Sequence, residues 1–326
     1  MNVLVTGGTG FIGANLVARL VQRGEHVRVL RRASSSLAAL EGMDVEYIIG
    51  DILDEASVAR AVEGCEVVYH VAAIATYWQS TPEQLYRANV EGTRLVMEAC
   101  LQARVPRVVH TSSISAIGIP ANGAPGNEET RFDARSARFA YANSKHRAEI
   151  QVLRLVEQGL PAVIVNPGIV VGVREYAMHI GSILKQFKQG HVLAVPPGRV
   201  CLCDVDAVVE GEIGAAERGR IGERYILGGE NLTLHEIAAI VGEIMGRPAP
   251  RVILPRWSLE PIALAIDLYN RFNGQPAILN GEQIRLSGYI HSFDSSKAVR
   301  ELGYPLLSFR GAVEKAYRWY VEKGFM

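Results

Sequence analysis

The first half of the chain switches repeatedly between two hydrophobic periods. Short β-branched runs occupy 3–5, 27–30, 45–49, 67–70, 108–111 and 162–166. Between them, 15–23, 56–62, 91–103 and 141–157 place apolar side chains at helical spacing. Strands alternating with helices predict βαβ units, hence an α/β fold built on a doubly wound parallel sheet. Such sheets bind ligands at the carboxyl ends of the strands, where the strand order reverses.

The second half is less regular. Residues 204–218 read as a helix, and 224–227 as a strand closed by Gly228-Gly229. Thr233 and Glu236 stand at the spacing of a capping box that opens a further helix. The segment from Asp294 starts a helix that stops at Gly303, and the last helix runs over about 310–322. This pattern predicts a dinucleotide-binding unit of 1–167 plus about 199–229. A smaller mixed C-terminal unit of about 168–198 plus 230–326 would lie over the strand ends and bind substrate. The apolar stretch 258–272 reads first as core packing; covering a greasy substrate and resting on a membrane surface are the other readings.

Charge narrows the partners. Lys plus Arg total 34 and Asp plus Glu total 34, so no general positive field is available to hold nucleic acid. Cys65, Cys100, Cys201 and Cys203 form no CxxC pair and no His-flanked metal spacing, so free buried thiols are expected and no metal site is. No apolar run reaches membrane-spanning length. The chain opens directly on a strand without a signal-peptide pattern, and a cytoplasmic location is the expectation.

The loop after the first strand reads Thr6-Gly7-Gly8-Thr9-Gly10-Phe11-Ile12-Gly13, with glycines at GxxGxxG spacing between a strand and a helix. Gly7 suits a tight turn, Gly10 a close approach to pyrophosphate, and Gly13 close helix–strand packing, with the phosphates at the positive helix N-terminus. This is the dinucleotide site of a Rossmann domain. At the end of the next strand, where an NAD enzyme places an acid on the ribose, stand Arg31 and Arg32, with Arg31 18 residues after Gly13. A guanidinium there suits a 2′-phosphate, so NADP(H) is the expected cofactor, with NAD(H) possible; the competing reading makes the two arginines a solvated strand end. Asp51, at the following strand end, reads either as an acceptor for the adenine amino group or as a cap for the helix near Glu55. Ala72 and Ala73 follow the strand ending at His70, and their small size lets the backbone pass close to ribose and nicotinamide. His70 itself reads as a packed strand histidine.

Tyr141 and Lys145 stand four apart on a helix, and so project to one face. A phenol has a pKa of about 10, and bringing it to neutrality needs roughly 4 kcal/mol of differential stabilisation. An ammonium and a positive nicotinamide ring beside it act in that direction. Upstream, a strand ends in Thr111-Ser112-Ser113-Ile114-Ser115, where a hydroxyl can hold the substrate oxygen while Tyr141 moves its proton.

The order of these pieces resembles the extended short-chain dehydrogenase/reductases, the NAD-dependent epimerase/dehydratase family. The likeness runs along essentially the whole chain: TGGTGFIG at 6–13, GDILD at 50–54, HVAA at 70–73, RANVEGT at 87–93, HTSSISAIG at 110–118, YANSK at 141–145, NPGIVVG at 166–172 and FDSSKAVRELGY at 293–304. It implies Ser113, with Ser115 as neighbouring candidate, Tyr141 and Lys145 as the catalytic set. It also implies cofactor contacts from the glycine loop including Thr9, Phe11 and Ile12, from Asp51, Ile52, Ala72 and Ala73, and from Asn89, Tyr141, Lys145 and Pro167. Asn89 matches a family asparagine that mainly braces the central helix. The dihydroflavonol-4-reductase-like branch, and hopanoid-associated sugar epimerases within it, are similar through GERYILGGENLTLHEI at 222–237.

The chain departs from the family after Asn166-Pro167, which lacks the usual Gly-Pro, and at Asp204-Val205-Asp206-Ala207, where relatives carry His-Val-Asp-Asp. The resemblance implies an NADPH-dependent reductase of a small or medium hydrophobic ketone or aldehyde, or the reverse alcohol oxidation. Tyr77, Trp78, Tyr86 and Tyr176 are the candidate lining of its pocket, with plain packing as the alternative for each. A nucleotide-sugar epimerase on retained NAD is the second reading, against which Arg31 stands; a redox-sensing regulator without turnover is the third. The dehydratase acids are replaced by Ser113-Ile114-Ser115, which argues against sugar 4,6-elimination. The family also implies a homodimer through helices near 91–103 and 141–157.

Overall fold

The computed structural model describes residues 1–120, 123–273 and 280–326. Its strands are β1 (Asn2–Thr6), β2 (His26–Arg31), β3 (Glu46–Ile49), β4 (Val67–His70), β5 (Arg107–Thr111), β6 (Ala162–Pro167), β7 (Ile169–Val171), β8 (Ala194–Val195), β9 (Arg199–Asp204), β10 (Arg224–Leu227), β11 (Glu230–Thr233), β12 (Val252–Ile253) and β13 (Ile290–His291). The α-helices are α1 (Phe11–Gln22), α2 (Glu55–Val62), α3 (Pro82–Tyr86), α4 (Gly92–Gln102), α5 (Ala140–Val156), α6 (His179–Lys188), α7 (Val205–Arg218), α8 (Leu234–Met245), α9 (Leu259–Asn273), α10 (Gly281–Leu286), α11 (Ser296–Leu302) and α12 (Phe309–Glu322).

A seven-stranded parallel sheet runs in the order β10-β6-β5-β4-β1-β2-β3. Successive residues of one strand feed opposite cores, because side chains alternate across a pleated sheet. Val3 and Val5 pack on one face with α1 and α7, whereas Leu4 packs on the other with α2, α4 and α5. Both faces are covered, so the strands read as continuous apolar runs rather than alternating ones. The order reverses between β1 and β4, which places the site at their carboxyl ends.

The smaller part holds a second sheet, β11-β9-β13 with β7 also on β9, backed by α6, α8 and α12 around Leu184, Phe187, Val241, Val313 and Tyr320. Here the division drawn from sequence needs one correction. Strand β9, assigned there to the dinucleotide unit, pairs with β7, β11 and β13 instead. The chain returns to the large sheet at Val205, with Asp204 capping α7 by accepting from Asp206 N at 2.8 Å. The two sheets meet closely: a Cβ on Gly168 would lie 2.7 Å from the Cys201 carbonyl oxygen.

Local signals explain most boundaries. The Thr233–Glu236 capping box is formed reciprocally at 2.7 and 3.1 Å, and α11 stops at Gly303, whose φ of 65° is left-handed. All four cysteines are free and buried. Among the described residues no helix is long and apolar enough to cross a membrane. Replacing Thr233 by Ala leaves the Glu236 N–H without its acceptor, while the backbone N–H of position 233 keeps the Glu236 carboxylate. We expect a loss of about 1 kcal/mol of stability, read as a lower urea midpoint at unchanged slope.

Candidate active site

The glycine loop is shaped by contacts that leave no room for side chains. Gly7 has φ +71°, and a Cβ on it would lie 2.6 Å from the Ala72 amide nitrogen at the end of β4. A Cβ on Gly13 would lie 2.2 Å from the Gly7 carbonyl oxygen, so α1 is pulled against the loop by backbone contact. Gly10 caps α1 without a side-chain hydrogen bond, and no acidic residue occupies its first turn. The helix therefore presents open N–H groups and a positive dipole to an anion, which fits a dinucleotide pyrophosphate. Thr9, Phe11 and Ile12 are half-buried in this turn.

The next strand end carries the two arginines. Register pairs Thr6 with Leu30, so Arg31 stands level with Gly7. Arg31 donates to the carbonyls of Arg32 and Ala33 at 3.1 and 3.4 Å and lies 5.3 Å from the Tyr47 ring centroid, while its Nε is buried without a partner. Arg32 is exposed. Asp51 accepts from Leu53 N at 3.0 Å and does not cap α2; that cap is Asp54, accepting from Ala56 N at 3.2 Å. Ile52 is half-buried against Gly92. Ala72 is half-buried, Ala73 is exposed, and Pro167 closes β6.

His70 is held on both ring nitrogens, by Thr6 at 2.8 Å and Thr93 at 3.0 Å. Burial pushes its pKa down to about 3, so it is a neutral strand residue. Asn89, on a π-helical turn before α4, exchanges hydrogen bonds with Ile74 backbone at 2.8 and 3.1 Å and donates to the Ser144 hydroxyl at 3.0 Å. Its amide is fully engaged, which makes it a brace between the loop after β4 and α5.

Ser113 follows β5 in extended backbone, and its hydroxyl accepts from Ser115 N at 3.2 Å and hydrogen-bonds the Tyr141 phenol. Ser115 is half-buried beside it. The expected lowering of the phenol by Lys145 is not what the protein's own groups produce. Desolvation raises the Tyr141 pKa and the Ser113 hydrogen bond opposes it only in part. Lys145, 1% exposed, instead donates to the Thr111 carbonyl at 2.8 Å.

Behind this triad lies a buried polar layer that the sequence reading missed. The Thr111 hydroxyl donates to Glu212 on α7 at 2.6 Å. Asn166 donates to the Ser113 carbonyl at 2.9 Å and to Glu149 at 2.6 Å, and Glu149 also pairs with Arg224 at 3.1 Å. Burial pushes Lys145 down to about 8, opposed by Glu149 and Glu212, and pushes Glu212 up to about 7, opposed by Thr111 and Lys145. Tyr141, Lys145 and Glu149 are spaced four apart, so Glu149 was legible on the same helix face; Glu212 gave no such signal.

The four aromatic candidates separate. Trp78 meets His179 of α6 edge-on at 5.2 Å, bridging the two parts of the molecule. Tyr86 is 40% exposed, with Arg147 of α5 over its ring at 5.9 Å. Tyr176 is half-buried and packed edge-on against Trp319 of α12 at 5.0 Å and Phe325 just after that helix at 6.0 Å. The Tyr77 side chain lies outside the described residues. A surface pocket of about 600 Å³ is lined by Phe139, Arg256, Leu259, Glu282 and Tyr289 among others, and Ser113, Tyr141 and Lys145 are not part of its lining.

A dinucleotide loop at the switch point together with a Ser-Tyr-Lys set defines a nicotinamide-dependent oxidoreductase of the extended short-chain type. The chain belongs to the NAD dependent epimerase/dehydratase family, which it matches over residues 3–228. It is 37% identical to sterol demethylase protein B of Methylococcus capsulatus over 100% of both chains. It is 35% identical to a putative dihydroflavonol 4-reductase of Synechocystis, covering 99% of this chain and 95% of that one. A solved nucleoside-diphosphate-sugar epimerase from Pseudomonas aeruginosa superposes with a TM-score of 0.84 at 25% identity, over 100% of this chain and 99% of that one.

The buried carboxyl yields a pH prediction. Glu212 rises from an ordinary 4.5 to about 7, so the folded state binds its proton more tightly than the unfolded state does. Its contribution to stability is full below pH 4.5 and is lost as pH rises to about 7. Glu212→Gln removes that loss while keeping an acceptor for Thr111. In urea titrations the variant should gain on the wild type between pH 5 and pH 8, by up to roughly 3 kcal/mol. A pH-independent gap would contradict the assignment.

Proposed function

We propose that this protein catalyses the NADP(H)-dependent interconversion of a hydrophobic ketone and its secondary alcohol. The observation that carries the reading is the Ser113–Tyr141 hydroxyl pair with Lys145 one helical turn away, at the same sheet edge as the glycine loop. The bound nicotinamide supplies the hydride for reduction and accepts it in the reverse direction. As the carbonyl carbon is reduced, the Tyr141 phenol gives its proton to the carbonyl oxygen, and the Ser113 hydroxyl holds that oxygen in place. In oxidation Tyr141 takes the proton from the alcohol. Lys145 holds a positive charge behind the phenol, and the burial that brings it to about 8 makes that charge sensitive to whatever binds beside it. Asn166 and Asn89 fix the Ser113 backbone and α5 from behind.

Arg31 supports NADP(H): a half-buried guanidinium with an unpartnered Nε, level with Gly7, suits a 2′-phosphate better than a ribose diol. The substrate class is supported by relatives named for a sterol and a dihydroflavonol.

Fluorescence titration with each cofactor separately should show NADPH bound about tenfold or more tightly than NADH, with Arg31→Asp abolishing the preference. Tyr141→Phe should lower turnover of a ketone panel by about 10²–10⁴-fold while leaving NADPH affinity within a few-fold. Purification with tightly retained, non-exchanging NAD would contradict the NADP(H) reading and direct the assay to nucleotide sugars.

A further inference from the structure

Helix α9 is apolar on two opposite sides, and among the described residues only one of them has a partner. Leu259, Ile262, Ala263 and Ile266 face inward and pack with Ile284 of α10. The outward stripe is Pro261, Leu264, Ala265, Leu268, Tyr269 and Phe272, at steps of three and one, and all six positions are exposed. Leu264 is 57% exposed, Leu268 56%, Tyr269 64% and Phe272 80%. Trp257, in the turn entering the helix, is 78% exposed, and Val252 and Ile253 of β12 just before it are exposed as well. Scattered apolar residues on a surface need no explanation, but a stripe at helical spacing with no polar interruption does.

The charges around the stripe indicate what covers it. The two acids of α9, Glu260 and Asp267, are both held by Arg285 at 3.0 and 3.1 Å. Among the described residues no carboxylate pairs with Arg251, Arg256 or Arg271, so the margin keeps free positive charge. Leucine and phenylalanine on one face, Trp and Tyr beside them, and unpaired arginines at the rim suit the interface of an anionic bilayer. A second copy suits it less well. A twofold contact would bring arginine rims together with their acidic partners already occupied.

We propose that the α9 face, from Trp257 to Phe272, is a peripheral docking surface for an anionic lipid bilayer. The helix lies in the interface plane with Leu264, Leu268 and Phe272 among the acyl chains and the arginines at the headgroups. Leu259 and Glu260 of this same helix also line a pocket with Phe139, which precedes Tyr141 by two residues in the chain. Docking does not depend on the substrate reading; vesicle binding and turnover can fail separately.

The test is co-sedimentation of the full chain with vesicles of phosphatidylcholine alone and of phosphatidylcholine with phosphatidylglycerol. The protein should bind the anionic vesicles, and raised salt should weaken the binding. The double variant Leu268→Glu with Phe272→Glu should lose at least about tenfold in vesicle affinity, with NADPH binding and the thermal midpoint unchanged because both side chains are exposed. Arg256→Glu with Arg271→Glu should remove the preference for anionic vesicles. As an independent measurement, brominated lipids should quench the parent fluorescence, and Trp257→Phe should remove most of that quenching. Absence of binding by the parent chain would overturn the proposal. So would a parent that is dimeric in sedimentation equilibrium, a Glu double variant that is monomeric, and no vesicle binding by either, which would assign the face to a second copy.

Discussion

Lys145 is an ammonium group buried almost completely inside the protein, and the site is organised around the cost of keeping it there. A buried charge is tolerated only when its donors are used and opposite charge is near. Thr111 meets this need from the last residue of β5, because it faces both sides of the sheet. Its carbonyl accepts from Lys145 on α5, and its hydroxyl donates to Glu212 on α7, which packs on the opposite face. Glu149 adds a second carboxylate, itself fixed by Asn166 and Arg224. The two helices flanking β5 are thus tied to one residue at its end, and the position of Tyr141 follows from that tie.

The same strand ends are where backbones come closest. Gly7 against Ala72 and Gly13 against Gly7 leave less space than a methyl group needs, which draws the open end of α1 over the gap between β1 and β4. Asn89 then locks the segment after β4 to α5. The anion-binding end and the proton-transferring residues come from three separate stretches of chain, 6–13, Ser113 and 141–145. They share one location because the parallel sheet brings every strand's carboxyl end to the same edge. The smaller part closes over this edge through β9, which runs directly against Gly168.

Short-range chemistry was readable along the chain. The capping box at Thr233, the stop at Gly303 and the strands of the large sheet all depend on neighbouring residues, and they stand where the pattern puts them. The order of the glycine loop, the serine cluster and the Tyr–Lys pair, taken with the likeness along the chain, was enough to expect the family to which the chain belongs. Strand β9 was misassigned because a strand's sequence does not say which sheet it joins. The aromatic candidates stayed open between pocket lining and packing for a related reason: an aromatic side chain reads the same whether it packs against Arg147, against Trp319 or against a ligand.

Sequence alone therefore determined the periodic elements, the turn geometry of the glycine loop and the spacing of Tyr141, Lys145 and Glu149, since each is set by residues within a turn or two of one another. Tertiary structure decided what long-range contact controls. It turned Lys145 toward Thr111, buried Glu212 across the sheet so that its proton is held to near neutral pH, and made Asn89 and Asn166 braces. It also decided which apolar side of α9 is covered. Both sides carry the same kind of residue at the same spacing, and only the packing of α10 distinguishes them.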